Sequence, residues 1–302
     1  MPWFESFDAA AARFPDMEVL REEPMSHHTT FRIGGPARRF VRPASAVQTA
    51  ALLALAEAEK WPVLVLGNGS NLLAADEGLD FLVVHTGRLD GLDRVGETGF
   101  RVGAGVSLAR AAYFAQRSGL AGLEFAHGIP GSLGGAVCMN AGAYGGEMCQ
   151  VVVSVAAWFP GEGVVRLDRE ALEFGYRRSV FSRRSGVVLE AEFALEPGEA
   201  AEIQARTEEL DRRRREKQPL EFPSAGSAFK RPKGHFAGAL IQQCGLKGAR
   251  VGGAQVSEKH AGFIVNTGGA TSQDVAGLIH HVQRTVFQQT GVTLEPEIKF
   301  IP

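Results

Sequence analysis

The sequence predicts an α+β protein. Short apolar runs alternate with amphipathic helical stretches, three of those runs end in loops of small residues, and the fingerprint of a parallel dinucleotide-binding sheet is missing. Val63 to Leu66 leads into Gly67-Asn-Gly-Ser-Asn71, and Phe100 to Val102 leads into Gly103-Ala-Gly105. The third loop runs from Gly128-Ile-Pro-Gly-Ser-Leu-Gly-Gly135 through Asn140-Ala-Gly-Ala-Tyr-Gly-Gly146. Neither Gly67-Asn-Gly69-Ser-Asn-Leu72 nor Gly103-Ala-Gly105-Val-Ser-Leu108 carries the last glycine of G-x-G-x-x-G, which argues against that fold. What remains is an α+β flavin or nucleotide domain.

Taken in order, Thr29 to Ala37 reads as a short strand broken by Gly34 and Gly35. Ser45 to Lys60 reads as a helix capped by Ser45, with Val47, Ala51, Leu52, Leu55 and Ala56 on one face. Strands follow at Val63 to Leu66, Phe81 to Val84 and Phe100 to Ala104, then a helix from Ser107 to Arg117 with Leu108, Ala111, Ala112 and Ala115 inward. Val151 to Phe159, Gly163 to Leu167 and Val187 to Phe193 are strand-like. Composition shifts at Glu196-Pro-Gly-Glu199, and Ala200 to Lys217 is a charged helix whose cations, packed from Arg212 to Lys217, suit a solvated C-terminus. Helices at Phe236 to Cys244 and Thr271 to Gln289 enclose strands at Val251 to Val256 and Gly262 to Val265. A last strand, 292–302, sets Glu295 and Glu297 on one face.

Composition narrows the class. With 302 residues, 45% hydrophobic and 22% charged, the chain suits two or three globular domains. A net charge of -2, from 32 basic and 34 acidic residues, provides no global field for nucleic acid or an acidic membrane. Cys138, Cys149 and Cys244 match no metal spacing and form no even set, so reduced thiols and no metal are expected. The start carries no basic or long apolar segment of a secretory signal, and no run reaches membrane-spanning length, so a cytoplasmic protein is expected.

The three glycine loops carry the chemistry. Gly131, Gly134 and Gly135 have no Cβ, so backbone N–H groups can approach a bulky anion, and Ser132 adds a hydroxyl where a short helix could begin. A tight turn would use the same residues, but three such loops can converge on one long phosphorylated ligand.

The ordered motifs Thr30-Phe-Arg-Ile-Gly-Gly35, Gly67-Asn-Gly-Ser-Asn71, Gly128-Ile-Pro-Gly-Ser-Leu-Gly-Gly135, Gly175-Tyr-Arg-Arg-Ser179, Ala225-Gly-Ser-Ala-Phe-Lys230 and Leu294-Glu-Pro-Glu297 resemble the UDP-N-acetylenolpyruvoylglucosamine reductase family over nearly the whole chain. The resemblance implies a FAD-binding domain of the vanillyl-alcohol-oxidase (PCMH-type) kind in two lobes, 1–75 and 76–196, the first joined by the C-terminal strand 292–302. A smaller α+β substrate domain spans 197–291. It implies noncovalent FAD, NADPH as hydride donor, and the enolpyruvyl ether of UDP-N-acetylglucosamine as substrate, in peptidoglycan precursor synthesis by a monomer.

By the same resemblance, Arg177, Ser227 and Glu297 are catalytic, and Tyr176, Lys230 and Arg231 bind substrate. Gly67, Asn68, Gly69, Ser70, Asn71, Gly103, Gly105, Gly131, Ser132, Gly134, Gly135, Ala136, Asn140 and Gly142 hold FAD. Hydride addition at the terminal vinyl carbon places negative charge on its neighbour and the carboxylate, which calls for a cation there and a proton source at the carbon. Arg177 with Glu297 fits the first need and Ser227 the second, with Lys230 the nearest cation in sequence. His127 precedes the main loop, where related oxidases attach flavin covalently; a loop histidine and noncovalent FAD are expected here.

Two departures stand out. Arg231 occupies the position after Ala-Phe-Lys where the family commonly has asparagine. Only Ser182 to Gly186 separate Phe181 from the next strand, so the tyrosine-bearing insertion of the longer branch is missing and the chain resembles the short branch. A related FAD alcohol or sugar oxidase, and a nonenzymatic nucleotide-binding protein, are the competing readings; the second lacks a P-loop.

Overall fold

A computed structural model describes residues 1–302 as two compact units. The first comprises Met1–Arg21, Arg39–Asn68 and Phe81–Arg212; the second comprises Glu22–Arg38, Gly69–Asp80 and Arg213–Pro302. The elements are those of an α+β protein, and no helix is long and apolar enough to cross a membrane.

The first unit is built on a five-stranded antiparallel sheet ordered Gly163–Asp168, Val152–Phe159, Val187–Ala194, Gly99–Gly103 and Leu92–Val95. The helix Leu133–Cys138 packs on Val187–Ala194 and Gly99–Gly103, burying Leu133, Ala136 and Val137. Val63–Leu66 pairs in parallel with Leu82 to His85 in the remaining β-layer. Ser45 and Ser107 cap the helices Ala46–Ala58 and Leu108–Arg117, accepting from Gln48 N and Arg110 N as their spacing predicts. The second helix buries Leu108, Ala111, Ala112 and Ala115. The first helix is rotated only part of a turn from expectation, since Leu52 and Ala56 face inward as expected but Val47 and Ala51 do not. It buries Thr49, Leu52, Leu53 and Ala56 and leaves Val47 81% exposed. Its surface is apolar nearly all round, so periodicity could not set its phase.

The second unit holds a four-stranded antiparallel sheet ordered Ser224–Ser227, Phe263–Asn266, Ala254–Val256 and Arg250–Val251. The helix Ser272–Thr290 packs on its last two strands, burying Val275, Leu278, Ile279, Val282 and Val286. Asp76 receives Ser272 N, Ser272 Oγ and Gln273 N, and Thr271 with Asp274 forms a capping box. Gly291, at φ 73, ends the helix in a left-handed cap.

Several expected elements are corrected. The run Val251 to Val256 is two strands, because Gly252 at φ 51 turns the chain back on itself. No strand forms from Thr30 to Ile33. The C-terminal strand is only Lys299–Ile301, paired in parallel with Leu72–Ala74, while Pro296, lacking an N–H, allows only an isolated bridge to Phe229. Glu295 and Glu297 therefore lie on an irregular segment. In the charged helix Ala200–Lys217, Arg214 is only 7% exposed, so it is no solvated cation.

On the exposed face of the first sheet, Glu192 joins Arg101, 2.7 Å from Nη2, and Arg166. These arginines hold its carboxyl down to about 2, with Arg166 the larger cause and Arg101 next. A carboxylate whose folded value lies below its unfolded one contributes stability above the unfolded value, lost as pH falls through the folded one. Thermal unfolding followed from pH 4.5 towards 2 should show this loss, and Glu192→Gln should flatten that limb. At neutral pH the substitution should cost only about 1 kcal/mol, because both arginines are substantially exposed. Parallel pH curves for the two proteins would refute the assignment.

Candidate active site

Glycine is forced at several loop positions by the approach of other backbone. In the first unit, a Cβ on Gly103 would overlap the Leu89 carbonyl, and one on Gly105 the Thr86 carbonyl. Gly103 N donates to Gly91 O (2.8 Å) and Gly105 N to Leu89 O (2.9 Å). These two glycines, expected at the cofactor, are thus required by packing against 86–91. The next residues knit this turn to the third loop: Gly134 N donates to Ala104 O, Leu133 N to Val106 O and Leu108 N to Gly131 O, at 2.9, 2.8 and 3.0 Å. Gly134 sits against Ala104, where a Cβ would lie 3.2 Å from the alanine methyl.

The remaining features fit a cofactor phosphate. Ser132 occupies the N-cap of Leu133–Cys138, yet its hydroxyl makes no capping bond. Instead that hydroxyl lies where a Cβ on Gly67 would be, so the first and third loops meet at Gly67 and Ser132. Gly135 is exposed, and a Cβ there would find its nearest neighbour at 3.8 Å. Of the expected set, Gly135 has open space around it and Asn68 is exposed, whereas Gly131, Ser132 and Ala136 are buried and Gly67 lies against the Ser132 hydroxyl. His127 is already engaged: its Nδ1 lies 2.9 Å from Asp211 Oδ2, an ion-pair distance without hydrogen-bond alignment.

Beyond this helix, Gly142–Ala143 and Gly146–Glu147 form a small hairpin whose tip, Tyr144 and Gly145, has positive φ at both residues. Gly142 is close-packed, since a Cβ would lie 2.6 Å from Gly146 O. Asn140 is buried, and its amide is taken up by protein partners. Glu147, one of those partners, is not a residue the sequence singles out. Burial, the largest cause, pushes the neighbouring Cys149 thiol up and keeps it protonated. The turn Gly175 to Arg178 carries Arg177 at φ 54, a left-handed conformation that a non-glycine residue adopts at a cost. Arg177 Nη2 reaches Gly142 O at 3.4 Å, and the guanidinium lies 5.3 Å from the centre of the half-exposed Tyr176 ring.

In the second unit, Ser227 and Glu297 come together. Glu297 N donates to Ala228 O (2.9 Å) and Lys230 N to Glu295 O (2.8 Å), which lays 227–230 against 295–297. A register shift between Ser224 and Ser227, with Gly226 at φ 76, re-aims the strand end. Ser227 Oγ donates to Phe229 O at 3.2 Å. Asn71, expected at the cofactor, donates from Nδ2 to Glu297 O at 3.0 Å and accepts Lys299 N. Gly69, at φ 59, faces the His28 carbonyl, and Ser70, next in the chain, is half-buried. The Lys230 ammonium, the cation nearest Ser227 in sequence, pairs with the Glu295 carboxylate. The Arg231 guanidinium stacks 3.8 Å over the exposed Phe236 ring.

Residues 37–168 match the model of a FAD binding domain, and residues 218–301 match that of the UDP-N-acetylenolpyruvoylglucosamine reductase C-terminal domain. A UDP-N-acetylenolpyruvoylglucosamine reductase of Levilactobacillus brevis is 48% identical over 96% of this chain and 95% of its own length. This chain belongs to the UDP-N-acetylenolpyruvoylglucosamine reductase family. The relative from Pediococcus pentosaceus of the same name is 47% identical over 96% of this chain and 97% of its own. The crystal structure of the family's reductase from Thermus caldophilus superposes with a TM-score of 0.80 at 38% identity, covering 95% of this chain and 99% of that one. The two matched models place a FAD-binding domain ahead of the reductase family's own C-terminal domain.

The two kinds of glycine should separate experimentally. Gly105→Ala, blocked by backbone, should destabilise by more than about 2 kcal/mol and resist rescue by added FAD. Gly135→Ala should leave the apoprotein's unfolding temperature unchanged but lower the ratio of bound flavin to protein. Full flavin occupancy in Gly135→Ala would remove Gly135 from the cradle.

Proposed function

We propose that this chain reduces the enolpyruvyl ether of UDP-N-acetylglucosamine to UDP-N-acetylmuramate, using NADPH and noncovalently held FAD, in peptidoglycan precursor synthesis. The reading is carried by family membership over 96% of the chain, with Ser227 and Glu297 set side by side by the Ala228–Glu297 backbone bond. A cytoplasmic monomer fits this role.

Gly67, Gly131, Ser132 and Gly135 would hold the phosphates of FAD, which would supply hydride-transfer chemistry between NADPH and the substrate. The hydride adds to the terminal vinyl carbon, and the π electrons move toward the neighbouring carbon and carboxylate. Arg177 offers that carboxylate a planar fork of donors, its guanidinium lying against Gly142 O and the Tyr176 ring. Ser227 then gives its proton to the neighbouring carbon, completing the saturated ether. Serine is a weak acid alone, so Glu297, beside it in the second unit, is the group proposed to stabilise the intermediate and return the proton from solvent. Arg231 supplies charge for the substrate diphosphate, held by its stacking on Phe236.

The purified protein should be yellow, bleach anaerobically with NADPH, and recover colour when the enolpyruvyl substrate is added. Colour recovery with oxygen only would favour the oxidase. Arg177→Ala and Glu297→Gln should each lower turnover by roughly a hundredfold or more, the usual loss when a preorganised contact to developing charge is removed. Near-normal steady-state rates in either would exclude that residue from the mechanism.

Ser227→Ala separates the half-reactions. Stopped-flow bleaching by NADPH should keep its wild-type rate, while colour return on adding substrate should slow steeply, because only the second phase needs the proton. Wild-type rates in both phases would leave Ser227 a turn hydroxyl bonded to Phe229 O.

A further inference from the structure

Asn140 follows the helix Leu133–Cys138 with 1% of its surface exposed and a left-handed backbone at φ 42. A buried primary amide needs partners for both ends, and here the ends go to different elements. Oδ1 accepts from Cys149 N at 2.9 Å, while Nδ2 donates to Glu147 Oε2 at 2.9 Å and to Gly175 O at 3.1 Å. These partners fix the amide's orientation, since a flip would set its oxygen against two acceptors. Gly175 opens the turn closed by Gly175 N to Arg178 O (3.0 Å) and Arg178 N to Gly175 O (3.2 Å), with Arg177 inside it. The Arg177 guanidinium in turn meets Gly142 O, on the hairpin that Asn140 grips through Glu147 and Cys149. One amide therefore holds both the backbone from which Arg177 projects and the hairpin that its side chain touches.

We propose that Asn140 is the positioning residue of Arg177, acting through Gly175 O and the Gly142–Glu147 hairpin and not on the flavin. The residue was expected at the cofactor, but both ends of its amide are committed within the protein. The inference rests on the assignment of Arg177 to the substrate carboxylate. The strain at Arg177 gives the contact its purpose: a left-handed arginine persists only where its surroundings over-determine it, and the Asn140 donor binds the turn one peptide away.

Asn140→Asp tests this directly. Aspartate keeps the shape, tolerates the left-handed backbone and still accepts from Cys149 N, but it places oxygen against Glu147 and Gly175 O. Flavin-to-protein ratio and bleaching by NADPH should stay at wild-type values. Amide hydrogen exchange across residues 175–178 should quicken, and colour return with substrate should slow, each by roughly tenfold or more, as expected when the two Nδ2 bonds to Glu147 and Gly175 O are lost. In an Arg177→Ala background the same substitution should slow colour return no further, because its effect passes through that guanidinium. Additive losses, unchanged exchange at 175–178, or loss of flavin would each overturn the proposal. Should Asn140→Asp not fold, Asn140→Gly keeps the backbone conformation and removes only the side chain. Failure of both to fold would make Asn140 a fold anchor and overturn the proposal as well. Near-normal turnover in Arg177→Ala alone is a separate result: it would sink the catalytic reading, while exchange across 175–178 would still report whether Asn140 holds the turn.

Discussion

Everything around the proposed cofactor cradle depends on main chain meeting main chain with nothing between. The segments 103–108 and 131–134 exchange backbone bonds, while 103–105 also leans on 86–91 and Ala104 N bonds Leu189 O at 2.9 Å. A single methyl at Gly103 or Gly105 would occupy the place of a carbonyl oxygen. Because these are backbone contacts, no rotamer change relieves the overlap. The same ladder fixes the start of the helix Leu133–Cys138, and so decides where Ser132 and Gly135 stand. Loops become a rigid scaffold here through hydrogen bonding, with little contribution from side chains.

Polar groups are arranged in two ways. Some buy rigidity for the chemistry: Asn140, Glu147 and the turn at Gly175 hold an arginine in a conformation it would not choose. Others set elements in place. Asp76 caps the helix Ser272–Thr290, and backbone donors at Thr271 and Gly253 lower the Asp274 carboxyl from its ordinary value. Asp8 does likewise in the first unit, bonding Arg39 through both oxygens at 2.7 and 2.6 Å, and Arg39 is the main reason its carboxyl is lowered. Bidentate geometry of this kind fixes orientation as well as distance.

The Ser227 region shows how local sequence and tertiary pairing compete. Lys230, read along the chain, is the cation nearest Ser227, yet the antiparallel bridge between Phe229 and Pro296 brings Glu295 to it. An exposed pair of opposite charges forms readily once backbone pairing has paid the entropy of bringing them together. Ser227, at the end of a bulge that Gly226 permits, adjoins Ala228, whose carbonyl accepts from Glu297 N.

What the sequence determined by itself was the set of local decisions. Ser45, Ser107 and Thr271 start helices because their oxygens suit the N-cap, and apolar runs at 63–66, 152–159 and 187–194 form strands. The ordered motifs, each only a few residues long, named the family, and by resemblance pointed to Arg177, Ser227 and Glu297 as candidates. Tertiary structure decided the rest. The nearly all-apolar helix Ala46–Ala58 took its phase from the core it met, and Pro296 left Glu295 and Glu297 off any strand. Gly103 and Gly105 are closely packed against backbone while Gly135 is open, a distinction invisible in a list of glycines. Asn140 likewise bonds Gly175 O, 35 residues away. The physical reason is the same throughout: caps and periodicity act within a turn or two of chain, whereas a Cβ clash or a buried amide's partner belongs to residues that only folding brings near.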